Sequence, residues 1–309
     1  MSKIMIGIAT CKRPEMLKKA LLSLEGQTIK ADITVLVADN DAEGRAGILA
    51  ASQLAQDGYR FPVAAFVVEE RGISQVRNAL VESAFVQGSA DVLVFMDDDQ
   101  WAEPGWLQAL ISMQAATDAD VVGSAVLPEF EGPVPTWAQD CQVFCRRSDS
   151  HGRVGVVYGT GGTLLSRNVM KTMSIPFFNV AFSLSGGEDA EFFKRLMAEG
   201  GRFARAADAI IYEVYPTARV NLRWAMRRSF RTGVSDTRIN LLHQGRARVL
   251  SREAVLIPAA FLATPFKLLL AIGRAGRQVD ALCKAARACG KIAGLAGSRY
   301  REYAVIHGH

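Results

Sequence analysis

A chain of 309 residues, 50% of them apolar and 22% charged, has enough apolar side chain to bury a substantial core as one large domain or as a domain with an appendage, which excludes a disordered or fibrous polypeptide. The formal charge of +5 comes from 36 basic and 31 acidic residues that are unevenly placed. Basic side chains gather after Arg219 and acidic clusters lie before it, so an anionic partner, phosphate or membrane lipid, is expected near the C-terminal part.

The first apolar run, residues 4–9, is too short for a secretory signal, so this part of the chain is expected in the cytoplasm. With residues 33–38, 63–68, 92–96 and 121–126 it makes a series of β-branched runs separated by helix-length amphipathic stretches. That pattern predicts an α/β layer with a mostly parallel central sheet flanked by helices. Pro14 starts a helix with Leu17, Ala20, Leu21 and Leu24 on one face, and Pro104 starts another carrying Leu107, Leu110 and Ile111. No GxGxxG follows the first strand, and Gly159-Thr160-Gly161-Gly162 lies too far along to serve, so a dinucleotide-binding domain is not expected.

In such sheets ligands gather beyond the carboxyl ends of the strands. Here those ends are residues 10–14, Asp39-Asn40-Asp41, residues 69–72 and Asp97-Asp98-Asp99. Three adjacent carboxylates at the mouth of a buried strand repel one another, and a divalent metal would hold them together. A solvated acidic turn ahead of the Pro104 helix would need only one.

After residue 126 the alternation stops. Pro128, Pro133 and Pro135 mark a loop-rich connection, and residues 154–158 and 163–166 read as strands around the glycine cluster. Ser185-Gly186-Gly187-Glu188-Asp189 opens a helix that ends at Gly200-Gly201, residues 209–214 form a further strand, and residues 222–250 read as helix with Arg223, Arg227, Arg228 and Arg231 on a shared face. Residues 254–273 carry one charge, Lys267, and are long enough to cross a bilayer, although Pro258 and Pro265 would kink a span. Residues 275–296 set Val279, Leu282, Ala286 and Ile292 against Arg277, Lys284, Arg287 and Lys291, the pattern of a basic helix lying on a membrane. Surface attachment is favoured over a span, with a soluble helical cap as the alternative. The five cysteines, Cys11, Cys141, Cys145, Cys283 and Cys289, have no CxxC spacing and read as reduced thiols; a zinc site from Cys141, Cys145 and His151 would lack a ligand.

Taken in order, Thr10-Cys11-Lys12-Arg13-Pro14, Asp39-Asn40-Asp41, Val76-Arg77-Asn78, Asp97-Asp98-Asp99 and Gly187-Glu188-Asp189 resemble the family 2 glycosyltransferases of the GT-A fold over residues 1–215. RGISQVRN at 71–78, SGGEDAEFF at 185–193 and RRSFRTG at 227–233 resemble more particularly the bacterial enzymes that elongate lipid-linked oligosaccharide in succinoglycan-type exopolysaccharide synthesis. The resemblance implies a catalytic domain over residues 1–218, its nucleotide-sugar half being 1–126 and its acceptor half 127–218, followed by a helical, membrane-associating C-terminal extension over 219–309. It implies an inverting, metal-dependent transfer of a hexose from a nucleotide sugar, UDP-linked, to a lipid-linked oligosaccharide or other glycan at the cytoplasmic face of the bacterial inner membrane, with no nucleic acid as partner.

Residue by residue, the likeness assigns Asp99 and Asp97 to Mn²⁺ or Mg²⁺, which would neutralise charge on the leaving diphosphate, and Asp98 to the ribose or the metal shell. Thr10, Arg13, Asp39 and Arg77 fall to the nucleotide. Cys11 and Lys12 stand where many relatives have an aromatic and an asparagine, so base stacking is not carried over. Asp189 is the base that takes the acceptor's proton, and Glu188 shapes the acceptor site or its loop. Trp137 could stack on an acceptor sugar; Arg227, Arg228 and Arg231 suit a diphosphate or a lipid-linked pyrophosphate. Asp236 and His243 are candidates for a last metal ligand, neither preferred. Plainer readings stand beside these: an Asx turn or helix cap for Asp39 and Asp41, a loop anchor for Trp137, a solvated face for the arginines, and a Ser185-x-x-Glu188 capping box that would explain Glu188 but neither Asp189 nor the two glycines. Rival functions are a nucleotidyltransferase, against which the missing glycine-rich basic loop argues, and a non-catalytic membrane scaffold.

Overall fold

The apolar runs pair as strands in a computed structural model that describes residues 2–145 and 150–298. Strands β1 (Lys3–Thr10), β2 (Asp32–Asp39), β3 (Val63–Val67) and β4 (Val92–Asp97) form a parallel block in the order β3-β2-β1-β4. Register sets Thr10 opposite Asp39 and Ala9 opposite Asp97, so their carboxyl ends share one rim. Helix α1 (Pro14–Glu25) buries Leu17, Ala20, Leu21 and Leu24 against one face of this block, together with Ile4, Ile6 and Ile8. Helix α2 (Ala46–Gln56) adds Ala50 and Ala51 to the same core, while α3 (Ile73–Glu82) covers the opposite face with Val76, Leu80 and Val81. Covering both faces is what makes each strand a continuous apolar run.

The sheet continues past β4 with mixed polarity. Strand β5 (Gln100–Ala102), helix α4 (Trp106–Thr117), β6 (Val121–Phe130), the short α5 (Thr136–Asp140), β7 (Gly152–Val154), β8 (Thr163–Ser166), α6 (Glu188–Ala198) and β9 (Phe203–Tyr215) follow in the chain. The strand order is β3-β2-β1-β4-β8-β6-β9-β5, with β7 on β9; β8 runs antiparallel to β4 and β6, and β5 antiparallel to β9. β6 and β9 pair in parallel, so antiparallel pairing is confined to β5, β7 and β8, and the expected donor and acceptor halves share one sheet. Two boundaries differ from expectation. Helix α4 begins at Trp106 because Pro104 is held in a turn, its carbonyl accepting the Thr28 N–H at 3.0 Å. The strand expected at 154–158 ends at Val154, after which Val157 drops into the space left by Gly123.

The C-terminal part is three helices, α7 (Leu222–Gln244), α8 (Arg246–Leu270) and α9 (Ala275–Leu295), with Gly245 in the left-handed region (φ 74°) dividing what read as one helix over 222–250. Part of the apolar face of α9 is buried inside the protein, with Val279 and Ala286 covered and Ile292 48% exposed. Helix α7 lies against α9: a Cβ at Gly290 would strike the Phe230 carbonyl at 1.9 Å, and one at Gly233 the Arg287 carbonyl at 2.1 Å, so the two backbones touch. Val279 and Cys283 join Trp137, Phe144, Tyr215 and Trp224 in a third core between α5, α7 and α9. Helix α8 is divided along its length. Its first two turns bury Val249 and Glu253, the latter paired with Lys291 at 2.7 Å, whereas Leu262 (77% exposed), Phe266, Leu269 and Leu270, with Ile272 just past its end, stand in the open.

Candidate active site

The rim formed by β1, β2 and β4 concentrates carboxylates and arginines. The Thr10 hydroxyl donates to Asp98 at 2.8 Å, and Arg13 reaches Asp98 at 3.3 Å and Asp99 at 3.5 Å. Asp99 also faces Arg219, 3.7 Å away, from the turn leading into α7. Buried beside Asp98, Glu213 and Asp97, the Asp99 carboxyl is pushed up to about 8, burial being the largest cause and the neighbouring carboxylates adding to it. Arg228 on α7 approaches Glu213 at 4.0 Å and lies over the Trp224 ring, so the part of the basic face that turns inward points at this cluster. Arg227 stays exposed, and Arg231 is half-buried.

Across the cleft, α6 begins after Gly186 (φ 74°) and Gly187 (φ 95°), two successive left-handed residues that would strain any other side chain. The capping box does not form. Gly187 is the N-cap, and the Ser185 hydroxyl accepts from Arg238 at 2.7 Å. Glu188, 2% exposed, instead pairs with Arg77 of α3, whose other amino group lies 3.5 Å from Asp97. Burial pushes the Glu188 carboxyl up to about 7, against the opposing pull of Arg77. Asp189 is half-buried at the first turn of α6. Between Asp97 and Asp189 runs the glycine loop 159–162: a Cβ at Gly161 would come within 2.6 Å of the Asp97 carboxylate, and one at Gly159 within 3.9 Å of that of Asp189. The buried Thr160 Oγ1 and Glu188 Oε2 have no hydrogen-bond partner among the described residues, which leaves polar capacity beside the glycine loop and at the start of α6.

Other expected site residues have internal contacts. Asp39 is fully buried and its carboxylate accepts the N–H groups of Asp41 (2.9 Å), Gly47 (2.8 Å) and Ile48 (3.2 Å), which makes it the anchor of the 40–47 loop and of the α2 start, as the turn-and-cap reading has it. Trp137 packs against Phe144 in the core under α9, again the plainer alternative. Asp236 bonds Arg287 at 2.8 Å and His243 meets Glu191 at 3.0 Å, so both candidates for a last metal ligand join helices. Cys141 hydrogen-bonds Asp280, and His151 sits near Asp208 on the β7 side, so no zinc set forms among the described residues.

Comparison with known proteins matches the glycosyl transferase family 2 model over residues 5–172. The succinoglycan biosynthesis protein ExoM of Rhizobium meliloti is 30% identical over 248 residues, 76% of this chain and 74% of that protein. The chain is a family 2 glycosyltransferase. The glycosyltransferase also superposes on TarS of S. aureus: residues 1–349 of TarS in complex with UDP give a TM-score of 0.54 at 14% identity, covering 97% of this chain and 93% of that one. The complex of the same TarS segment with UDP-GlcNAc gives 0.52 at 13% identity, with the same coverage. This chain spans 54% of the full TarS chain. The likeness to TarS is one of fold, GT-A with a helical addition.

Whether the glycosyltransferase suits a divalent metal is decided by its donor set. Asp97, Asp99 and Glu213 supply oxygen ligands only, as Mg²⁺ and Mn²⁺ prefer, and Asp98 beside them makes a cluster of four carboxylates that Arg13 and Arg219 face at 3.3 to 3.7 Å. No three His, Cys, Asp or Glu side chains converge as a ready cage among the described residues. An ion that keeps its waters and is held by one or two carboxylates plus a substrate diphosphate needs none, so the residues fit. Arg219, Glu213 and the glycine loop are parts of this cluster that sequence reasoning missed. An acidic residue inside an apolar strand was the available signal for Glu213; nothing local marked Arg219.

Proposed function

We propose that this glycosyltransferase moves a hexose, with inversion, from a nucleotide sugar to a lipid-linked or other glycan acceptor in exopolysaccharide synthesis. One observation carries the reading: Asp97, at the end of a donor-half strand, and Asp189, at the start of α6, flank one glycine loop and are tied to each other through Arg77 and Glu188. The ExoM relative supports the exopolysaccharide setting, and the UDP and UDP-GlcNAc complexes of TarS support a UDP-linked donor.

In this reading Asp189 takes the proton of the acceptor hydroxyl as its oxygen bonds the anomeric carbon, and the bond from that carbon to the diphosphate oxygen breaks with its electron pair leaving on the diphosphate. Asp99 and Asp97 hold Mn²⁺ or Mg²⁺, which when bound supplies charge neutralisation for the departing diphosphate. Arg13, Arg219 and Arg228 surround the same pocket as further cations, and Thr10 and Asp98 lie toward the ribose. Asp39 acts on the nucleotide indirectly, by fixing the loop that borders it. The open half of α8, with 6% of its most apolar window buried, supports a seat on an anionic lipid surface at the cytoplasmic face.

The test is a screen of UDP-, GDP- and dTDP-sugars against bacterial membrane extract, with Mn²⁺ and with chelator. Chelator-sensitive transfer from a UDP-sugar is expected. Release of pyrophosphate from a nucleoside triphosphate instead would overturn the reading.

A further inference from the structure

Resting on the reading of Asp189 as the base, we infer that Arg238 of α7 is a positioning residue for it, so that the C-terminal helices set the geometry of the acceptor half. Asp189 follows a turn that is intrinsically loose, since Gly186 and Gly187 both lie in the left-handed region and neither carries a side chain to lock it. The lock comes from α7. Arg238 donates to the Ser185 hydroxyl at 2.7 Å and to the Ala181 carbonyl at 3.2 Å, and its guanidinium lies 4.7 Å from the centre of the Phe182 ring, so three points ahead of the glycines are gripped by one planar group. One turn earlier, Ser235 closes over the glycines: a Cβ at Gly187 would come within 3.0 Å of the Ser235 Cβ, and the Ser235 hydroxyl approaches the Gly186 carbonyl at 3.4 Å.

One face of α7 therefore follows the base-bearing segment continuously. Asn240 bonds Lys194 and His243 meets Glu191 at 3.0 Å farther along α6. Its opposite face is in backbone contact with α9 through Gly233 and Gly290, and α9 holds α8 through Lys291 and Glu253. Its contacts with Ser185, Ala181 and Phe182 all lie in the segment ahead of Asp189, so the loss of Arg238 should act first on the proton-transfer half.

The experiment compares Arg238→Ala, Arg238→Lys and Ser185→Ala in the full chain. Amide exchange of residues 183–190, a readout that needs no donor, is expected to quicken about tenfold in Arg238→Ala and Ser185→Ala while residues 92–99 are unchanged. With the nucleotide sugar that the wild type turns over, kcat should fall about 10- to 100-fold with donor KM and UDP affinity within about twofold, guanidinium should restore part of the rate to Arg238→Ala, and the double variant should be no slower than the worse single one. Unchanged exchange, or a loss carried by donor KM, would overturn the inference. An Asp189→Asn enzyme as fast as wild type would instead sink the base assignment, a result separable from slow Arg238 variants.

Discussion

Arg77 on α3 and Glu188 on α6, 111 positions apart in the chain, meet as a buried ion pair that joins the first half of the chain to the start of α6. Because Arg77 also faces Asp97, one guanidinium reaches carboxylates at the end of β4 and at the start of α6. Removing it leaves the buried Glu188 carboxylate without its counter-charge. Arg77→Ala is expected to lower stability by about 3 kcal/mol or more and to weaken both UDP binding and transfer, seen as a shifted urea midpoint and by calorimetry. A variant as stable as wild type would show that the pair does not connect the halves.

The pH dependence follows from Glu188. Its folded pKa of about 7 lies above the usual 4.5, so its share of stability is fully present below about 4.5 and is lost as pH rises through 7. The loss at alkaline pH is on the order of 3 kcal/mol, from about 1.4 kcal/mol per pKa unit. Thermal melts between pH 5 and pH 8 should therefore fall more steeply for wild type than for Glu188→Gln. Parallel slopes would sink the assignment.

Asp189→Asn keeps the shape of the α6 start but cannot accept a proton. Transfer is expected to drop by about 10²- to 10⁴-fold with UDP affinity retained, read from single-turnover rates beside calorimetric titration. Wild-type turnover would remove Asp189 from the reaction.

Asp99→Ala tests the metal. Titration of UDP with and without Mn²⁺ should show a metal-dependent gain in wild type that the variant lacks, and Mn²⁺ alone should raise the melting temperature of wild type only. A gain of equal size in both proteins would place the ion elsewhere.

The open face of α8 predicts lipid binding. Leu262 and Leu269 are 77% and 65% exposed, so replacing either with Glu should leave folding within about 0.5 kcal/mol while cutting sedimentation with vesicles containing anionic lipid more than tenfold. Equal sedimentation would point to another attachment.

What the sequence by itself determined is what local pattern encodes. The β-branched runs became β1 to β4 and β6, the leucines of α1 faced the sheet, and Asp97 to Asp99 fell at a strand end because the run before them is apolar on both faces. Asp189 stood out through the Gly187-Glu188-Asp189 likeness to the family. Pairings between distant segments were decided by the tertiary structure. Glu188 looked like half of a capping box until Arg77 was brought to it, and the amphipathic pattern of α9 did not show that α7 would lie against it. An amphipathic pattern says that a face is buried but not by what. Arg219 and Glu213 joined the Asp99 cluster only because β9 returns beside β6 and reaches the rim that β4 opens onto. Charge proximity is a property of the folded chain, and side chains more than a hundred positions apart carry no local mark of it.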